Sequence, residues 1–99
     1  MTFRFVNRKV TKIQEIIHFK NLQELDLSGN LLQEEIKELG YLNFLKRLNL
    51  SNNQIQDLWI MPSSVEILNL SYNFIKVMPE EVAKKLKNIT TIDISNNKI

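Results

Sequence analysis

Residues 22–32 read LQELDLSGNLL, and the same apolar frame returns in 45–55 (LKRLNLSNNQI), 65–75 (VEILNLSYNFI) and 89–99 (ITTIDISNNKI). Every apolar position and the asparagine coincide in the four segments, with Asn30, Asn53, Asn73 and Asn97 separated by 23, 20 and 24 residues. A period of this length is the mark of a repeat architecture, in which no unit can bury its apolar face alone. Within each unit the Leu-x-Leu step, as in Leu25 and Leu27, has a period of two, so one side of a short strand is apolar and the other polar. Successive strands must then stack in parallel, about 4.8 Å apart, with the leucines aligned as a continuous spine. The asparagines fall where the chain leaves the strand. Their side chains carry both donors and acceptors, so they can satisfy backbone groups of adjacent turns that would otherwise be buried unpaired, forming an asparagine ladder. Residues 3–10, FRFVNRKV, fit the same frame 22 residues upstream of Asn30, but Arg8 takes the asparagine position, and that copy is expected to close differently.

The segments between strands are less uniform. Gln33–Leu39, with Ile36 and Leu39 on one side and Gly40 beyond, reads as about two helical turns. Glu80–Lys87 reads as a helix started by Pro79, with Glu80 and Glu81 in its first turn and Lys84, Lys85 and Lys87 in its last, as the helix dipole favours. Val10–Phe19, with Ile13, Ile16 and Ile17, is expected to be the first and most basic return helix. Gln54–Ser64 contains Pro62 in a shorter unit and is expected to cross in an extended or 3₁₀ form. Trp59 in this segment is either core or an exposed docking aromatic.

The four segments reproduce L-x-x-L-x-L-x-x-N-x-L, and the chain resembles the leucine-rich repeat family over essentially its whole length. With the frame extended back to Phe19, Leu42 and Pro62 and forward to Ile36, Leu58 and Met78, it is similar to the 22-residue subclass found in protein phosphatase 1 regulatory subunits and axonemal dynein light chain. The 20-residue third unit, opening MPSSV at Met61, is instead similar to the short repeats of bacterial effector proteins. The resemblance implies an α/β fold: a right-handed leucine-rich-repeat solenoid of about four to five repeats. A curved parallel sheet would form its concave side, and helices or extended and 3₁₀ segments its convex side. Residues 1–99 are expected to form a single domain, incomplete at its C-terminal end. There Ile92, Ile94 and Ile99 would be left open, to be covered by further chain or by a partner.

The chain has 99 residues, 43% hydrophobic and 24% charged, with two glycines and two prolines, the balance of a folded chain with one core. Without cysteine it has no disulfide, thiolate metal site or cysteine nucleophile. The net charge is +2, too small to argue for nucleic acid. Residues 1–20 hold five basic residues against one acidic, a local +4 that leaves −2 for the remainder. The single histidine, His18, has no ligand or triad partner near it in sequence and reads as a surface or turn residue. Asp26 and Asp93 would stand about 14 Å apart, too far for paired-carboxylate chemistry. With neither a membrane-length apolar run nor an apolar leader, the expected localisation is intracellular, cytoplasmic or cytoskeletal, with the nucleus as a further option.

No catalytic residue, cofactor or metal is expected, and the outward side chains of the strands become the candidate site. They form columns: Thr2, Glu24, Arg47, Ile67 and Thr91; then Arg4, Asp26, Asn49, Asn69 and Asp93; then Val6, Ser28, Ser51, Ser71 and Ser95. The serines recur too uniformly to be other than structural. Expected partner-binding residues are Glu24, Asp26, Arg47, Asn49, Ile67, Asn69, Thr91 and Asp93, with Tyr72 as an aromatic anchor on the rim. Five strands span about 19 Å, which suits a segment of a partner protein and no small-molecule substrate. The expected function is therefore a non-catalytic protein–protein interaction module within a larger complex, without direct nucleic-acid or membrane contact. Two other readings stand beside it: an architectural subunit of a cytoskeletal, axonemal or ribonucleoprotein assembly, and the substrate-recognition part of a longer enzyme.

Overall fold

A computed structural model describes residues 1–99. Five three-residue strands, β1 (Thr2–Arg4), β2 (Glu24–Asp26), β3 (Arg47–Asn49), β4 (Ile67–Asn69) and β5 (Thr91–Asp93), form one sheet in sequence order. All four pairings are parallel, and the register is the one the repeat frame sets: Phe3, Leu25, Leu48, Leu68 and Ile92 lie side by side. Leu25, Leu48 and Leu68 are buried behind the sheet, and Leu27, Leu50 and Leu70 are fully enclosed. Ile92, in the equivalent place, is 39% exposed, because nothing stacks beyond β5. At the other end Phe3 packs on Phe5 and Phe19, with ring centroids 5.8 and 5.5 Å apart, closing the N-terminal side of the core.

The asparagine ladder is present and complete. Asn53 donates from Nδ2 to the carbonyls of Leu50 and Ser51 in its own turn and of Leu27 in the turn before, while its Oδ1 accepts the N–H of Leu32. Asn73 repeats the set one unit on, donating to Leu70, Ser71 and Leu50 and accepting from Ile55. Asn97 continues it with Ile94, Ser95, Leu70 and Ile75. Asn30 reaches back to the Phe5 carbonyl and accepts two N–H groups, those of Arg8 and Val10. The first unit thus lacks its own asparagine and closes on the second unit's, the different closure its Arg8 required. No buried side-chain nitrogen or oxygen is left without a partner.

The return segments correct two expectations. In place of a helix over Gln33–Leu39 there is a 3₁₀ helix at Lys37–Tyr41, and in place of Val10–Phe19 one at Glu15–His18. The repeat fixes how far the chain must travel, and burying Ile36 and Leu39, or Ile13 and Ile16, on one side of such a short span takes only a turn. Gly40 lies inside its 3₁₀ helix, not beyond its end. α1 (Glu80–Lys85) is the α-helix expected after Pro79, with Val82 buried beneath it and Glu80 and Lys84 paired at 3.3 Å on its surface. Gln54–Ser64 contains no helix. There Leu58, Trp59 and Met61 fill the core below the short unit, and Trp59, 5% exposed, is core and not a docking aromatic.

Candidate functional site

Each strand contributes two outward side chains, and the parallel register carries them into two straight columns. Thr2, Glu24, Arg47, Ile67 and Thr91 are paired neighbours in the first, and Arg4, Asp26, Asn49, Asn69 and Asp93 in the second. Over β1–β4 they line a shallow depression of about 240 Å³, floored by Leu25 and Leu48 and walled by Arg4, Glu24, Asp26, Arg47, Ile67 and Asn69. Glu24, Asp26, Arg47, Asn49, Ile67 and Asn69 therefore converge as expected, joined by Thr2 and Arg4, which were placed in the columns but not among the site residues. Thr91 and Asp93 continue the columns on β5 but lie outside the depression. Tyr72 is not on a strand at all; it sits on the turn after β4.

The two columns have different duties. In the second, the side-chain oxygen turns back on its own chain: Asn49 Oδ1 accepts the N–H of Ser51 at 3.0 Å and its hydroxyl at 2.7 Å, and Asn69 does the same for Ser71. Asp93 holds Ser95 in the same way, while Asp26 accepts only the N–H of Ser28. These bonds shape the strand exit, the local turn that Asp and Asn make most readily. The hydroxyl and then the backbone N–H of Ser95 favour the charged form of Asp93 and hold its carboxyl below the ordinary 3.8. The recurring Asp/Asn-x-Ser spacing was the sequence signal for this arrangement. The first column makes no such bonds and is chemically free.

Four charges sit in the depression, and none is in an ion pair. Glu24 is the register neighbour of Arg47, and Asp26 that of Arg4. Yet the molecule's two salt bridges are Lys46–Glu66 at 3.0 Å, beside the columns, and Glu80–Lys84 on α1. Ile67, 37% exposed, adds an apolar surface next to Arg47.

Tyr72 has φ of +56°. The equivalent residues in the other units, each just before the ladder asparagine, are Gly29, Asn52 and Asn96, with φ of +69°, +55° and +56°. Glycine and asparagine tolerate this left-handed conformation, whereas a bulky aromatic there is strained. Its side chain gains little burial in return, being 56% exposed, and Phe74 two residues on is 43% exposed with Lys98 Nζ 5.2 Å from its ring centre. Replacing Tyr72 by glycine is expected to stabilise the chain by about 1 kcal/mol, the strain relieved less the backbone entropy glycine gives up. In thermal unfolding that is a rise of about 4–8 °C. A fall in melting temperature would mean that Tyr72 holds the turn through packing.

No group of three or more His, Cys, Asp or Glu side chains is placed to hold a metal ion, and no helix is long and apolar enough to cross a membrane. His18 is exposed, at the end of a 3₁₀ helix.

Residues 20–59 match the family model for leucine-rich repeats, in two copies. The in-register sheet and the asparagine ladder carry the same pattern to both sides of that match. It is similar to human mimecan, 31% identical over 97 residues, covering 95% of this chain and 33% of mimecan. It is also similar to mouse osteomodulin, 27% identical over 101 residues, covering 98% of this chain and 24% of osteomodulin. A probable serine/threonine-protein kinase of Dictyostelium discoideum is 41% identical over 61 residues, 56% of this chain but 5% of the kinase. The chain spans a third or less of the length of these relatives.

These matches correct the expected localisation. Mimecan and osteomodulin are secreted proteins of the extracellular matrix, and this overturns the intracellular, cytoplasmic or cytoskeletal expectation. The likeness to phosphatase regulatory subunits and axonemal dynein light chain gains no support from them, and the axonemal reading goes with the localisation.

Proposed function

We propose that residues 1–99 form one leucine-rich-repeat solenoid domain of five coils, and that its concave strand face binds a segment of a partner protein without catalysis. What carries this reading is the depression over β1–β4, where unpaired Arg4, Glu24, Asp26 and Arg47 and the exposed Ile67 share one open surface. Such a surface offers polar specificity around an apolar contact, the composition from which recognition surfaces are built. Its breadth and shallowness suit a protein segment in preference to an enclosed small molecule, and its two acids offset its two bases, which disfavours a polyanion. Similarity to mimecan and osteomodulin, together with the small share of the kinase that is matched, supports an interaction module over an enzyme. Tyr72, strained and exposed on the rim of the same unit as Ile67, is assigned as an outlying anchor.

The test begins with a displayed peptide library selected on the wild-type chain. The selected peptides are then measured on a double variant carrying Arg47→Glu and Ile67→Asp. Both side chains are outward, so the variant should melt within a few degrees of wild type, while affinity falls by more than about tenfold. Undiminished binding to the folded variant would place the binding surface elsewhere.

A further inference from the structure

We infer that the occupant of the strand face is an α-helix laid across the strands, carrying an acidic, a basic, an acidic and an apolar residue in that order on one side. This rests on the proposal that the face binds protein, and it adds what the partner must be. The order is read from the face itself. Going from β1 to β4, the partner meets Arg4, then the acidic pair Glu24 and Asp26, then Arg47, then Ile67. Each sign is opposite to its neighbours, so a partner of uniform charge would be repelled at one step or more, and only an alternating one is matched throughout.

The spacing selects the helix. Adjacent strands are about 4.8 Å apart. Residues one turn apart on a helix rise about 5.4 Å, so those at i, i+4, i+7 and i+11 fall over four successive strands with a cumulative offset of about 2 Å. Same-side residues of an extended segment are about 6.8 Å apart and drift by about 6 Å over the same distance. The matching helix thus has Glu or Asp at i, Lys or Arg at i+4, Glu or Asp at i+7 and Leu or Ile at i+11. Because the four facing charges hold no ion pairs within the chain, binding breaks none.

The experiment uses two fluorescein-labelled, alanine-based helical peptides of about 18 residues. One carries Glu, Lys, Glu and Leu at those positions. The other carries the same four residues with Lys moved to the first position. Anisotropy titration of the 99-residue chain should give at least about tenfold tighter binding of the ordered peptide. Arg47→Glu should weaken binding of the ordered peptide by at least about tenfold, and changing the peptide's i+7 Glu to Lys should restore binding to Arg47→Glu. Equal affinity for the two peptides, or an ordered peptide indifferent to Arg47→Glu, overturns the assignment. The two proposals fail separately. Library-selected peptides that lose affinity on the Arg47→Glu, Ile67→Asp chain but show no such residue order refute the helix and leave the face standing. Selected peptides indifferent to that variant refute the face itself.

Discussion

Replacing Asn53 by alanine is expected to lower the melting temperature by about 10–25 °C. Asn53 is 5% exposed and satisfies four backbone groups: the carbonyls of Leu27, Leu50 and Ser51 and the N–H of Leu32. Alanine leaves the Leu32 N–H without a partner in a place water does not reach, and leaves the carbonyls of Leu27, Leu50 and Ser51 with one donor each, from Asn30, Asn73 and Gly29. The orphaned donor costs roughly 1–3 kcal/mol and each lost amide bond adds a fraction of that, a total of about 3 kcal/mol, which is a large share of the stability of a domain of this size. The position compounds the loss, because Asn53 ties residues 22–32 to residues 45–55, and in a stack whose units touch only their neighbours a break in the middle separates both halves. Asn97→Ala serves as the control. It makes the same kinds of bond but lies partly open at the last unit, and it should cost less than half as much. Equal losses at the two sites, measured by denaturant unfolding, would contradict a stack whose stability depends on position.

The second large effect is expected from Leu50→Ala, at about 3–5 kcal/mol. Leu50 is fully enclosed, in line with Leu27 on one side and Leu70 on the other. Its removal leaves a methyl-lined void that the short, hydrogen-bonded strands on either side cannot collapse to fill. Ile94→Ala at the last strand, where the side chain is only partly buried, should cost about 1 kcal/mol. A flat profile across Leu27, Leu50, Leu70 and Ile94 would argue against a spine with an enclosed centre and an open end.

How much of this was legible from the residues follows from what each signal encodes. The strand register was legible because a period of two leaves a single way to align Leu25, Leu48 and Leu68 with all apolar side chains on one side. The ladder was legible because asparagine recurs where the leucine pattern stops. The return segments were misread over Gln33–Leu39 and Val10–Phe19, since an i, i+3 pair of apolar residues serves a 3₁₀ turn as well as an α-helix. The left-handed turn before each asparagine went unread because Gly29, Asn52 and Asn96 are ordinary turn residues, and only Tyr72 in their company exposes the constraint. Localisation was misjudged for a different reason. The expectation was drawn from the lack of an apolar leader and of a membrane-length run, and an absence of that kind carries no address.

The hooks from Asp26, Asn49, Asn69 and Asp93 to the serines two residues on divide the freedom of this surface to change. A substitution at any of these four positions must keep a short side-chain acceptor or forfeit the strand exit, so their repertoire is confined to a handful of residue types. Thr2, Glu24, Arg47, Ile67 and Thr91 carry no such obligation, and their diversity of charge, size and polarity is what an unconstrained track would accumulate. Retargeting the molecule, whether by natural drift or by a protein engineer, is then a matter of rewriting one residue per strand along a single line, with the scaffold indifferent to the spelling.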